Sequence, residues 1–134
     1  MKKVKDISND LKNCEDIKKD LVKKMKLVGT YDKSFNEIIE LTSKLLEDYQ
    51  NTLIEFKKSG SKIIVPFTNK NGSENLSKNP LYLAIEKLRS DVILYLRELG
   101  LTPQGLKKIN ANSDLKVEVK SKLDDALKKI DFIN

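Results

Sequence analysis

Residues 99–110 read LGLTPQGLKKIN, Leu99 to Asn110, and the fold turns on how this stretch is read. Gly100 can adopt the left-handed conformation that closes a helix, and Thr102 with Pro103 supplies the N-cap and first helical position of another. A chain that stops and restarts within three residues folds back on itself. The short, glycine-containing turn admits two readings. One is a helix-turn-helix whose second helix carries Gln104, Lys107 and Lys108 to a groove. The other is a structural corner, with Lys107 and Lys108 touching phosphates but reading no bases.

Upstream of the corner, Asn79-Pro80 is a strong helix start, because Asn caps and Pro suits the first helical position. The stripe Leu81, Ile85, Leu88, Val92, Tyr95 and Leu99 then alternates steps of four and three. Leu83, Ala84, Ile93, Leu94 and Leu96 make this helix apolar over much of its circumference, which predicts burial against two neighbours, one of them another subunit. Leu81, Ile85, Leu88, Val92 and Tyr95 are therefore the candidate oligomer interface. Glu86, Arg89, Asp91, Arg97 and Glu98 form its solvated side. Downstream, the second helix is expected to run for about two turns and to end in a loop at NANSD, 110–114. Ser113 would cap a last helix carrying Leu115, Val119, Leu123, Ala126, Ile130 and Ile133 on one face.

Further toward the N-terminus, KIIVPFTNKNG at 62–72 changes character. Three β-branched residues, Pro66 and an Asn71-Gly72 turn signal predict a short strand or hairpin near residues 62–72. Before it, a long helix carries Phe35, Ile38, Thr42, Leu45, Tyr49, Leu53 and Phe56, widened by Ile39 and Leu46 and stopped by Gly60. SFNE at 34–37 reads as its capping box, with Ser34 capping Glu37. A first amphipathic helix over about 6–28 is marked by Ile7, Leu11, Cys14, Ile17, Leu21, Met25 and Val28. The fold class is mainly α: long amphipathic helices with one short strand or hairpin, assembling into an oligomer. The expected division is a basic, mobile N-terminal segment over 1–13 and a single helical domain over 14–134.

Composition narrows function. The 134 residues include no histidine, which removes His-based triads and HExxH zinc sites. The single cysteine, Cys14, makes no internal disulfide and shares a helical face with Ile7 and Leu11, as a small apolar residue would. SGSKI at 59–63 lacks the spacing and order of a phosphate loop. The adjacent pairs Glu15-Asp16, Glu47-Asp48 and Asp124-Asp125 diverge by about 100° on a helix, so no pair converges on one metal ion. No catalytic, cofactor or metal site is expected, and the protein is read as no enzyme. Charged residues make up 34%, no apolar run is long enough for a membrane, and the basic N-terminus lacks an apolar signal core. A cytoplasmic protein is the expectation.

Net charge is +6, placed unevenly. Residues 1–28 hold nine lysines against five acids, whereas 111–134 balance at five each. Such an excess suits a polyanion, through counterion release, and equally suits solubility alone. Only two of the 26 basic residues are arginine, so bidentate base readout is not advertised. Lys2, Lys3, Lys5, Lys107 and Lys108 are the DNA-binding candidates.

Residues 71–109, NGSENLSKNPLYLAIEKLRSDVILYLRELGLTPQGLKKI, resemble phage terminase small subunits of the P-twenty-seven type. The ordered elements are Asn71-Gly72, Asn79-Pro80, Leu88-Arg89 and Leu99 to Pro103, and YDKSFNEIIELTSKLLEDYQNTLIEFKKSG is similar to that family's second helix. The resemblance covers roughly residues 14–110. It implies a non-enzymatic component of a phage DNA-packaging motor in the cytoplasm of the bacterial host. Its implied partners are double-stranded phage DNA, the large terminase subunit that carries ATPase and nuclease, and other copies in a homo-oligomeric ring. The alternative is a small dimeric helix-turn-helix-like regulator, and a third possibility is a scaffold with no nucleic-acid role.

Overall fold

The computed structural model describes residues 11–131. In chain order it contains α1 (Cys14–Val28), a short 3-10 turn (Lys33–Phe35), α2 (Asn36–Lys58), β1 (Ile64–Thr68), β2 (Glu74–Lys78), α3 (Pro80–Glu98) and α4 (Pro103–Asp131). The mainly helical class with one antiparallel hairpin holds.

Helix α1 begins at Cys14, later than the periodicity predicts. Asn13 Oδ1 accepts a hydrogen bond from the Asp16 amide at 2.9 Å, and Glu15 and Asp16 sit at the positive end of the helix dipole. Leu11 precedes the helix and is exposed, and Ile7 lies outside the described residues. The inner face, Ile17, Leu21 and Met25, joins Ile39 of α2 and Leu99 in one buried cluster. α2 packs along both α1 and α3. In its N-terminal third Thr42 and Ser43 are fully buried, their hydroxyls donating to the carbonyls of Ile38 and Ile39 at 2.6 and 2.7 Å. Small side chains with satisfied hydroxyls let helices approach closely without a stranded polar group.

The expected Ser34–Glu37 capping box does not form. Asp32 Oδ1 takes both the hydroxyl and the amide of Ser34, at 2.6 and 2.8 Å, which folds 33–35 into the 3-10 turn. α2 then starts at Asn36 with no side-chain cap. The carboxylate two residues upstream, and not the Glu37 amide, is the partner of the Ser34 hydroxyl.

The hairpin is longer than the expected span near 62–72, because its second strand reaches Lys78. Ile64 pairs with Lys78 and Thr68 with Glu74, with Pro66 opposite Leu76. The turn is organised by Asn69, whose Oδ1 accepts from the amides of Asn71 and Ser73. The ribbon is exposed along most of its length, and Asn79 anchors its base. That buried side chain accepts from the Leu81 amide, as the expected cap, and donates to the Lys62 carbonyl at 2.8 Å.

At the corner, the Leu101 amide donates to Leu96 O at 2.9 Å and the Gly100 amide to Arg97 O at 3.0 Å, with Gly100 at φ +71°. This is the Schellman pattern that a glycine makes possible. Thr102 Oγ1 accepts from the Gly105 amide and opens α4, as expected. The turn closing α1 meets this corner: Thr30 Oγ1 donates to Leu99 O at 2.9 Å. Gly105 packs so tightly beneath α3 that a Cβ there would collide with the Arg97 carbonyl.

The expected loop at 110–114 is absent. α4 is a continuous helix of 29 residues, about 43 Å long, and not a two-turn helix followed by another. Ser113 does not act as a cap; its hydroxyl donates back to Ile109 O at 3.1 Å. Asn110, Asn112 and Asp114 are exposed, and neither Gly nor Pro interrupts the backbone between Leu106 and Asp131. Polar residues of this kind weaken a helix by tenths of a kcal/mol each, too little to break it.

Candidate nucleic-acid and assembly surfaces

The solvent side of α1 follows from its period. With Ile17, Leu21 and Met25 turned inward, Lys19, Lys23 and Lys26 fall on the outer side at steps of four and three. Together with Lys18, Val22, Leu27 and Tyr31 they line an open groove of about 680 Å³, in which Glu15 is the single acid among the described residues. Lys26 Nζ stands 5.0 Å from the centre of the Tyr31 ring, a cation–π contact. Lys18 reaches Glu40 at 3.7 Å. Lys19, Lys23 and Lys26 form no ion pair among the described residues.

The adjoining side of the same helix is neutralised. Asp20 is bridged by Lys12 at 3.1 Å and Lys24 at 3.5 Å, and the hydrogen bond from Lys12 and the charge of Lys24 hold its carboxyl below the usual aspartate range. Lysine abundance alone therefore does not mark the basic face; the positions of the carboxylates do. Position by position, the sequence contained this signal, since Lys19, Lys23 and Lys26 share the heptad phase opposite the core.

Lys107 and Lys108, predicted at the corner, are both exposed in the first two turns of α4. Lys107 borders a shallow groove with Pro103, Leu106, Asn110 and Asp114. Lys2, Lys3 and Lys5 lie outside the described residues. The structure thus leaves Lys107 and Lys108 both exposed on α4, with only Lys107 at this groove, and the other three candidates undescribed.

Of the candidate interface residues, Ile85 is 1% exposed and Val92 is 8% exposed, both buried within the chain itself. Leu81, Leu88 and Tyr95 are half-buried. The open face of α3 carries Leu83, Ile93 and Leu94. A larger open apolar surface lies on α4, where every residue from Asn110 to Ile130 is exposed. There Leu115, Val119, Leu123, Leu127 and Ile130 recur at steps of four and three, each more than half exposed. The expected last-helix stripe exists, with Ile133 outside the described residues, but on the distal part of α4, where no side chain from Asn110 to Ile130 is buried.

Cys14 is half-buried at the start of α1, where burial pushes its thiol up, reinforced by Glu47 and Glu15. A thiol so placed is a poor nucleophile. Among the described residues no cluster of three or more His, Cys, Asp or Glu could hold a metal ion, and no helix is long and apolar enough to cross a membrane.

Fold and surfaces define a class: a small helical protein with a lysine-rich groove on one helix and a long apolar stripe projecting on another. The model of the phage terminase small-subunit family matches residues 17–115, and the chain belongs to that family. It is thereby a component of phage DNA packaging. The match runs from the first core residue of α1, through the hairpin and the corner, to Leu115 on α4. No curated protein and no solved structure matches the chain.

Proposed function

We propose that this chain is the DNA-binding, self-assembling subunit of a phage packaging motor, of the P-twenty-seven type, acting in the cytoplasm of the bacterial host. It binds double-stranded viral DNA and delivers it to the large terminase subunit, which performs ATP hydrolysis and cleavage. The observation that carries this reading is the family match across α1 to α4. No catalytic role is assigned to the chain itself.

Self-assembly into a ring is supported by the open stripe of α4. An isolated helix is marginal in water even when its sequence favours it, and its stability in proteins comes from burying one face. The occupant proposed for that face is α4 of another copy. Residues 111–134 balance five lysines against five acids, so copies of a chain of net charge +6 do not repel one another there. On α3, contact between copies is expected through Leu83, Ile93 and Leu94 and the half-buried Leu81, Leu88 and Tyr95, with Ile85 and Val92 supporting from inside.

The rival dimeric helix-turn-helix regulator would place α4 in a DNA groove, yet that helix carries the longest exposed apolar stripe. Sedimentation separates the two readings. A closed ring requires a mass well above two chains at micromolar concentration, and a monomer or dimer there overturns it.

A further inference from the structure

We propose that Lys19, Lys23 and Lys26, with Tyr31 as their floor, form the surface on which the phosphate backbone of double-stranded DNA lies. This rests on the DNA-binding role proposed above and adds where on the chain the duplex sits. α1 presents its three lysines along one side of a rigid, well-anchored helix, since Ile17, Leu21 and Met25 fix the opposite side in the core. From residue 19 to residue 26 the helix rises about 10 Å. Phosphates of one B-DNA strand are about 7 Å apart along the strand itself, so this rise spans about two of them, and the long, flexible lysine stems let the third ammonium reach a further phosphate.

None of the three ammonium groups is neutralised by a carboxylate among the described residues, in contrast to Lys12 and Lys24 on the adjoining side. The Tyr31 ring beneath Lys26 favours a cation there and leaves the ammonium protons free for an anion. The groove contains no arginine, the side chain suited to bidentate reading of guanine. Binding at this surface is therefore independent of base sequence. An anionic membrane fits less well. A basic helix on a bilayer inserts its apolar face, and that of α1 is already buried against α2. Lys107 and Lys108 are adjacent on α4 and so point about 100° apart, which denies them a common strand.

The test is binding of the full chain to a labelled, arbitrary-sequence duplex across a salt series. The triple variant Lys19→Gln, Lys23→Gln, Lys26→Gln is expected to flatten the slope of log K against log salt by about 2.7, or 0.9 per phosphate lost. At about 0.1 M salt its affinity should fall by on the order of 10²-fold. The triple Lys→Arg variant is expected to retain the wild-type slope, which separates lost charge from lost fold. If the wild type binds and the Gln variant keeps its slope, the assignment to α1 is wrong while DNA binding stands. If the wild type does not bind the duplex, or binds anionic vesicles instead, the DNA-binding role itself falls and the assignment with it.

Discussion

The first and last parts of α4 belong to one continuous helix and are held by opposite means. From Pro103 to Ile109 the helix is wedged under α3: Gly105 meets the Arg97 backbone, Ile109 lies against Gly100, and Thr30 ties the corner to the end of α1. From Asn110 to Ile130 no side chain is buried. The same secondary structure is thus stabilised at one end by close backbone packing and at the other by local helix energetics alone. The distal part keeps an apolar stripe exposed, whereas the proximal part has Gly105 buried and Leu106 and Ile109 half-buried. That contrast separates residues that hold the chain together from residues available to other copies.

The strongest way to break the contrast is at the wedge. Gly105→Ala places a Cβ against the Arg97 carbonyl, and since backbone on both sides must shift, a loss of about 2–3 kcal/mol is expected in denaturant unfolding. Gly100→Ala should cost about 1–2 kcal/mol. It combines a left-handed residue with methyl contacts 2.8 Å from Ile109 Cδ1 and Thr30 Cγ2. Thr30→Val removes the hydrogen bond to Leu99 O and leaves a carbonyl of the corner unpaired, for about 1 kcal/mol in thermal unfolding. In the distal half the expectation reverses. Val119→Asp with Leu123→Asp should change the stability of the isolated chain by less than about 0.5 kcal/mol while abolishing the higher-mass species in sedimentation. Equal stability losses at both ends would show that the distal stripe is packed within the chain.

The smallest effect concerns the start of α2, remote from both. Ser34 donates its hydroxyl and its amide to Asp32, and these bonds hold the Asp32 carboxyl below the usual aspartate range. A carboxyl depressed in the folded state stabilises it above the unfolded value of about 3.9, and the contribution is lost as pH falls through the folded value. Stability measured from pH 7 to pH 2 should therefore decline at the acid end. Asp32→Asn should flatten that decline slightly and leave the corner variants' losses at neutral pH unchanged.

Much of the architecture was legible from residue periodicity and helix punctuation. Asn79-Pro80, Gly100 and Thr102-Pro103 act where their chemistry says, because caps and left-handed glycines are decided within four or five residues. The misreadings share one cause. Asn110, Ser113 and the SFNE box are polar residues equally able to cap a helix or to sit inside one, and a neighbour decides which. Asp32 claimed Ser34; nothing claimed Ser113, so its hydroxyl fell back on its own helix. Gly105 carried a readable signal, an isolated glycine within a helical pattern, but only the crossing of α4 under α3 gives it a reason.

For the surfaces, the lysine excess and the absence of histidine come from composition, and the bias of lysine toward the N-terminal end and the ordered motifs that resemble the family come from the order of the sequence. For the lysines of the described residues, phase along α1 already sets Lys19, Lys23 and Lys26 apart from Lys12 and Lys24, which share Asp20, and tertiary structure decided that Lys18 is paired, with Glu40 of α2. Which apolar stripe stays open was decided the same way. The periodicities of α3 and distal α4 look alike in the sequence, yet burial is a property of what lies opposite. α2 lies along α3, and among the described residues nothing buries the end of α4.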